Sequence, residues 1–226
     1  MKKIGLIGGA SWVSTLDYYK FINEGINKEL GGLNYAECII YSLNFADIQN
    51  VGWVNSYDLL LKAALSLKRS GIDAIALGAN TAHLFADEIE KNVGLPIIHI
   101  ATATARAVSD RGLTKVGLLG TKFTMEMDFL KKKIREHGLE ILIPEKQEVR
   151  DYLQHTIKEE LGRGIITQAT KQKYLSIIGD LEERGAEGVL LACTEIPMLL
   201  SQEDLSLPVF DTTKIHSEAI VEYMLS

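Results

Sequence analysis

Lys3-Ile-Gly-Leu-Ile-Gly-Gly9 and Lys115-Val-Gly-Leu-Leu-Gly-Thr121 are one phrase written twice, 112 positions apart. Each is a short aliphatic run closed by glycine, the pattern of a buried strand entering a tight loop. Two further pairs keep the register. Gly71-Ile-Asp-Ala-Ile-Ala-Leu-Gly78 returns as Gly185-Ala-Glu-Gly-Val-Leu-Leu-Ala192, 114 positions on. Leu95-Pro-Ile-Ile98 returns as Leu207-Pro-Val-Phe210, 112 positions on. Three ordered matches at a nearly constant offset mark an internal duplication.

Working outward in the first copy, strands are predicted over 4–7, 38–43, 74–77 and 97–100. Between them the apolar spacing is helical. Leu16, Tyr19, Ile22, Ile26 and Leu30 share one face of a helix over 15–30. A helix over 56–70 is closed by Gly71, and one over 86–92 is stopped by Gly94. Strand–helix alternation of this kind builds a mostly parallel sheet with helices on both faces. The fold class is therefore α/β, with two pseudo-symmetric parallel-sheet domains. Ligands of such sheets sit outside the carboxyl ends of the strands. Two facing copies would hold a ligand in the cleft between them. Ala79, after the 74–77 strand, and Cys193, after its counterpart, occupy equivalent positions and are expected to face each other across it.

Composition narrows the partners. The 226 residues carry a net charge of −6 and contain no basic block. Whole-chain electrostatics therefore favour neither nucleic acid nor an anionic membrane. No apolar run reaches bilayer length. The short stretch Ile4–Ala10 is broken by Gly5, Gly8 and Gly9, so it reads as strand and loop rather than leader. Cys38 and Cys193 lie far apart with no CxxC spacing, which disfavours a disulfide framework or a cysteine zinc site and fits a reducing cytoplasm. The five histidines show no HxxxH or HExxH spacing, so no metal is expected. Gly8-Gly9-Ala10-Ser11 lacks the dinucleotide fingerprint, and no P-loop is present, so a nucleotide is disfavoured as well.

The chemistry-bearing candidates cluster at strand ends. Cys193 closes one strand and opens a turn with Thr194 and Glu195. A thiol there is either a general acid/base or nucleophile with a depressed pKa, or a small buried core residue. Cys38 reads as strand-interior packing. Asn80, Thr81 and Thr194 either bind a carboxylate together with backbone N–H groups or cap the following turn. His83 and His216 either orient a site group or serve as solvated or capping residues.

Five pieces run through the chain in order: Ile4-Gly-Leu-Ile-Gly-Gly-Ala-Ser-Trp-Val-Ser-Thr15 with Tyr18-Tyr19, Asn80-Thr-Ala-His83, Gly117-Leu-Leu-Gly-Thr-Lys-Phe-Thr-Met125, Ala192-Cys-Thr-Glu195 and Asp211-Thr-Thr-Lys-Ile-His216. Together they resemble the aspartate/glutamate racemase family, most closely its aspartate racemase branch. The resemblance implies domains at 1–99 with 211–226 and at 100–210, the final helix completing the first. It implies a homodimer that racemises aspartate or glutamate with no PLP, metal, nucleotide or other cofactor. In such enzymes one thiolate removes the α-proton and a second thiol delivers a proton to the opposite face. Carried over, Cys193 is one of the two. Gly8, Ser11, Asn80, Thr81, Thr121 and Thr194 are substrate-binding positions, and Arg163 is the cation near the distal carboxylate.

The departure from the pattern is Ala79, which stands where the partner cysteine belongs and has no proton to exchange. The expectation is a racemase impaired at that position. Other readings of the alanine stay open. It could be a substitution that traps substrate, or a natural replacement served by Thr81 or water. The chain could instead be a one-thiol decarboxylase or isomerase of a dicarboxylate, or a non-catalytic binder of acidic metabolites.

Overall fold

The computed structural model describes residues 1–226. The chain divides into two compact units: unit 1 is Met1–Ala103 with Thr213–Ser226, and unit 2 is Thr104–Thr212. Each holds one four-stranded, all-parallel sheet.

Unit 1 runs β1 (Ile4–Gly8), α1 (Trp12–Leu30), β2 (Cys38–Ser42), α2 (Phe45–Val51), α3 (Tyr57–Arg69), β3 (Ala74–Leu77), α4 (Ala86–Val93) and β4 (Ile97–Ile98). Next comes α5 (Ile100–Ser109), which crosses into unit 2. Its strand order is β2-β1-β3-β4. Side chains alternate across the sheet as a pleat requires. Ile7, Ile75 and Leu77 pack under α3 and α4. Ile4, Leu6, Ala74 and Ala76 pack on the other face against Tyr18, Ile22 and Ile26 of α1 and against Ile220, Val221 and Met224. The last three lie on α10 (Thr212–Leu225). The chain thus returns at its end to cover a sheet begun at its start.

Unit 2 repeats the plan with β5 (Lys115–Gly120), α6 (Lys122–Glu126), α7 (Phe129–Arg135), β6 (Glu140–Leu142), α8 (Gln147–Glu159), α9 (Gln168–Glu183), β7 (Val189–Ala192) and β8 (Val209–Asp211). Its order, β6-β5-β7-β8, is that of the first sheet. Leu119, Leu153, Tyr174, Ile178, Leu181 and Leu191 anchor its core. Each such fully buried side chain contributes about 1.5–3 kcal/mol of transfer free energy.

The repeated glycine of the opening phrase has a steric cause. A Cβ on Gly5 would lie 2.5 Å from Ile72 Cδ1 and 3.1 Å from Leu67 Cδ1. On Gly117 it would lie 2.9 Å from Leu181 Cδ1. In both units the helix before the third strand approaches the central strand closely at this point.

Two expectations change. The strand predicted over 97–100 ends at Ile98, and α5 starts at Ile100. The cause is lateral: the Ile100 N–H donates to His83 Nε2 and the Ala101 N–H to His99 Nδ1. These rings serve donors that a helix start leaves orphaned, so the helix begins at once. Cys38 is not strand interior. It opens the edge strand β2 and is half-buried, and that burial raises its thiol pKa.

Candidate active site

In each unit the chain reverses direction across the sheet between the first and third strands, which are hydrogen-bonded neighbours. The carboxyl ends flanking such a switch point form the ligand crevice of open α/β sheets. In unit 1 these ends carry Gly8–Ser11 and Gly78–Thr81. In unit 2 they carry Gly120–Lys122 and Ala192–Glu195. The structure therefore gathers Gly8, Ser11, Ala79, Asn80 and Thr81 at one switch point, and Thr121, Cys193 and Thr194 at the other.

The β1 loop is held from within. Gly9 has φ +91°, and a Cβ there would meet the Leu43 carbonyl oxygen at 2.1 Å, so only glycine fits. Thr15 Oγ1 accepts from the Gly9 N–H at 2.9 Å and donates to the Ser11 carbonyl at 2.8 Å. Ser11 caps α1, its Oγ accepting from the Ser14 N–H at 3.3 Å. Thr121 does the same for α6, accepting from the Thr124 N–H at 3.2 Å. Both are N-caps of the helix after a central strand.

The β3 loop is buried. Asn80 and Thr81 are almost inaccessible and lead into a 3₁₀ turn over Thr81–Phe85. Ala79 packs against the apolar core of unit 1. Behind the loop stands a ring cluster. His83 lies 4.7 Å from His99 and 5.5 Å from His216, centroid to centroid. His83 Nδ1 is 3.0 Å from the Ala79 carbonyl oxygen, and its Nε2 is 3.2 Å from the Ile100 nitrogen. A carbonyl only accepts and a backbone N–H only donates, so His83 is the neutral Nδ1–H tautomer. His216 is the reverse. Its Nε2–H donates to the Ile98 carbonyl at 2.6 Å, and its Nδ1 accepts from the Tyr18 hydroxyl at 2.8 Å. Burial, then the neighbouring His99, lowers the His83 pKa well below its ordinary value. Burial, then His83, lowers that of His216 to about 3. Neither ring is the solvated residue that was one of its two readings, and His83 caps α5.

The β7 loop carries the ionisable chemistry. The Cys193 thiol donates to Glu195 Oε2 at 2.9 Å, and the Thr194 hydroxyl donates to the same oxygen at 2.9 Å. Burial first, then the Glu195 charge, raises the Cys193 pKa well above the ordinary thiol value. Backbone N–H groups of Thr194 and Glu195 pull the other way but lose. Of the two readings of this thiol, the depressed pKa is not supported, because burial and the carboxylate in contact with sulfur oppose thiolate formation more than the nearby dipoles favour it. Beneath it, Tyr174 is buried, its hydroxyl 2.9 Å from Thr156 Oγ1, and burial raises its pKa. Arg163 is bonded to none of these residues. It ends a 3₁₀ turn, is solvent-exposed and pairs with Glu159 one helical turn back.

Glu195 is the residue that sequence reading passed over. It stands two positions after Cys193, spacing that allows contact in a turn, but only the turn's geometry aims the carboxylate at sulfur. The chain contains no group of three or more histidine, cysteine or acidic side chains arranged to hold a metal ion, and no helix long and apolar enough to cross a membrane.

Residues 7–220 match the family model described as Asp/Glu/Hydantoin racemase. The broad specificity amino-acid racemase RacX of Bacillus subtilis (strain 168) is 24% identical over 99% of this chain and 98% of its own length. A Yersinia pestis crystal structure, provisionally described as an Asp/Glu racemase, is 42% identical with a TM-score of 0.94 over the whole of both chains. An aspartate racemase homologue from Pyrococcus horikoshii OT3 is 40% identical with a TM-score of 0.88, again over the whole of both. The fold extends to the aspartate racemase of Picrophilus torridus, with a TM-score of 0.76 over 99% of this chain and 94% of that one at 20% identity.

Proposed function

Because the chain belongs to the Asp/Glu/hydantoin racemase family, and so to the amino-acid racemases, we propose that it exchanges the α-proton of aspartate or glutamate without a cofactor. Cys193 is the acid/base, and the β3 loop binds the substrate carboxylate. The observation that carries the reading is the contact of the Cys193 thiol with Glu195 Oε2 at 2.9 Å, at a strand end equivalent to that of Ala79.

The resting thiol is protonated, so proton abstraction has to begin by emptying it. Glu195 is the acceptor in contact. As the sulfur's proton passes to the Glu195 carboxylate, the thiolate takes the α-proton and the Cα–H electron pair stays on the substrate as a planar carbanion. Return of a proton from sulfur restores the starting enantiomer. Inversion requires a donor on the opposite face, which the family pattern places at position 79. Alanine there supplies none, so inversion depends on Thr81 or water and is slow. Asn80, Thr81 and Thr194 hold the substrate with Gly8, Ser11 and Thr121, and Arg163 turns toward the distal carboxylate on binding.

The test is incubation in deuterated water with each enantiomer of aspartate and glutamate, followed by mass and chiral analysis. Deuterium in one enantiomer, with inversion slow or absent, is the expected result. Absence of exchange from all four substrates would sink the reading. Ala79 itself favours one second reading, a one-thiol decarboxylation of a malonate-type dicarboxylate. Release of carbon dioxide that disappears in Cys193→Ala would establish it.

For assembly we propose a cytoplasmic homodimer. Its support is α1, which exposes Trp12, Leu16 and Tyr19 on one face at helical spacing. Light scattering that shows a monomer would overturn it.

A further inference from the structure

The ring cluster of unit 1 takes no part in the proton transfer just described, yet it is closely built. Both ring nitrogens of His83 are engaged by backbone groups, and those of His216 by backbone and Tyr18. Neither ring has a lone pair left for a metal or a proton left for a substrate. Their partners are more informative. His83 holds the carbonyl of Ala79, the residue just before Asn80 and Thr81, and ties it to the first N–H of α5. His216 holds the carbonyl of Ile98, two residues before that N–H, and ties it to Tyr18 on α1. α1 in turn starts at the Ser11 cap of the β1 loop. The two loops at the unit 1 switch point are thus registered to one another through two imidazoles.

We infer that His83 is a positioning residue: through the hydrogen bond from Nδ1–H to the Ala79 carbonyl it fixes the peptide that presents Asn80 and Thr81 to the substrate carboxylate. This rests on the function proposed above. The role requires one tautomer and one partner. A ring flipped to Nε2–H would set a lone pair against the Ala79 carbonyl and leave the peptide free to rotate.

The test separates that bond from the rest of the ring. In His83→Asn the amide Nδ2–H stands where Nδ1–H stood and still reaches Ala79. In His83→Gln the amide lies further out, on the Ile100 side. Both lose one of the two backbone bonds, so their melting temperatures fall together. In the deuterium-exchange assay His83→Gln raises KM about 10- to 10²-fold, the worth of one hydrogen bond to a charged group. There kcat falls less, and His83→Asn recovers most of the KM loss. Equal KM values in the two variants would overturn the role and leave His83 a core residue. The ¹⁵N spectrum of the wild-type protein should show His83 as the Nδ1–H tautomer, and an Nε2–H tautomer overturns the inference. If the wild type exchanges no α-proton, the proposed function fails by itself. Amide hydrogen exchange across 78–83 then decides on His83. Fast exchange in His83→Gln with near-wild-type protection in His83→Asn supports it, and equal exchange in both overturns it.

Discussion

At the end of β3 an imidazole grips a backbone carbonyl, and at the end of β7 a carboxylate grips a thiol. These are the same place in two copies of one unit. The sheets around them have hardly diverged: the strand orders correspond, and a glycine clears a path for a leucine under each central strand. The loops have diverged completely. The reason is physical. A central strand is packed on both faces, so each of its residues is constrained by volume from two sides. A strand-end loop has only to satisfy its polar groups, which many residue sets can do. In unit 1 the loop is secured by buried rings against the backbone, which makes it a fixed surface. In unit 2 it is secured by side chains that can exchange a proton, which makes it reactive.

The sharpest way to break this contrast is to remove the reactive end. Cys193→Ala is expected to lower α-proton exchange by about 10²–10⁴-fold, while the unit 1 variants described above act mainly on KM. A Cys193→Ala protein that exchanges at the wild-type rate would make the two loops chemically equal. The reciprocal change, Ala79→Cys, puts a thiol on the fixed surface. It should raise the rate of inversion by up to about 10²-fold, because a positioned proton donor is supplied. Chiral analysis under conditions where the parent only exchanges deuterium reads this out directly. No gain would mean that the β3 loop does not face the α-carbon.

The two loops also predict opposite responses to pH. The folded chain keeps His216 neutral down to about pH 3, whereas the unfolded chain takes its proton near 6.5. Between those values the unfolded state binds more protons, so stability is complete above pH 6.5 and falls as pH drops. The cost is about 1.4 kcal/mol per pH unit for each such ring, and His83 adds to it in the same direction. Cys193 has the reverse sign. Its raised pKa leaves stability intact below 9.0 and drains it as pH rises, because the unfolded thiol ionises first. Hydrogen exchange should therefore show unit 1 opening first in acid and unit 2 losing protection in alkali. The same order of opening in both media would contradict these assignments.

Smaller effects test the shared part. Gly5→Ala and Gly117→Ala each force a methyl into the helix–sheet contact and should cost about 1–3 kcal/mol. Gly5→Ala should be the worse, its clash being 2.5 Å against 2.9 Å. Smallest is Tyr174→Phe, which removes one buried hydroxyl from Thr156 and should cost about 0.5–1.5 kcal/mol by denaturant titration.

What could be read ahead of the structure follows the same division. The duplicated strand phrases, the α/β class and the strand-end placement of Ser11, Asn80, Thr81, Thr121 and Cys193 were legible, because periodicity and glycine punctuation report packing from local sequence. The Glu195 contact and the protonated state of Cys193 were not, since both depend on how a turn aims two side chains. The ring cluster was equally hidden. His83, His99 and His216 share no motif and meet only because β4 and α10 lie side by side. The early start of α5 follows from that meeting, and strand propensity at Ile100 had pointed the other way.

The return of α10 to the first sheet has a consequence for how the molecule is made. Unit 2 is one continuous stretch, 104–212, so its core can close as soon as those residues have left the ribosome. Unit 1 cannot. Its sheet face, with Ala74 and Ala76, has only Tyr18, Ile22 and Ile26 of α1 against it until Ile220 and Met224 arrive, and His216 reaches Tyr18 only with them. The half that emerges first is therefore completed last, and the bonds of His216 to Tyr18 and to the Ile98 carbonyl are among the final contacts to form. During that interval one apolar sheet face has a single helix over it and waits for the second.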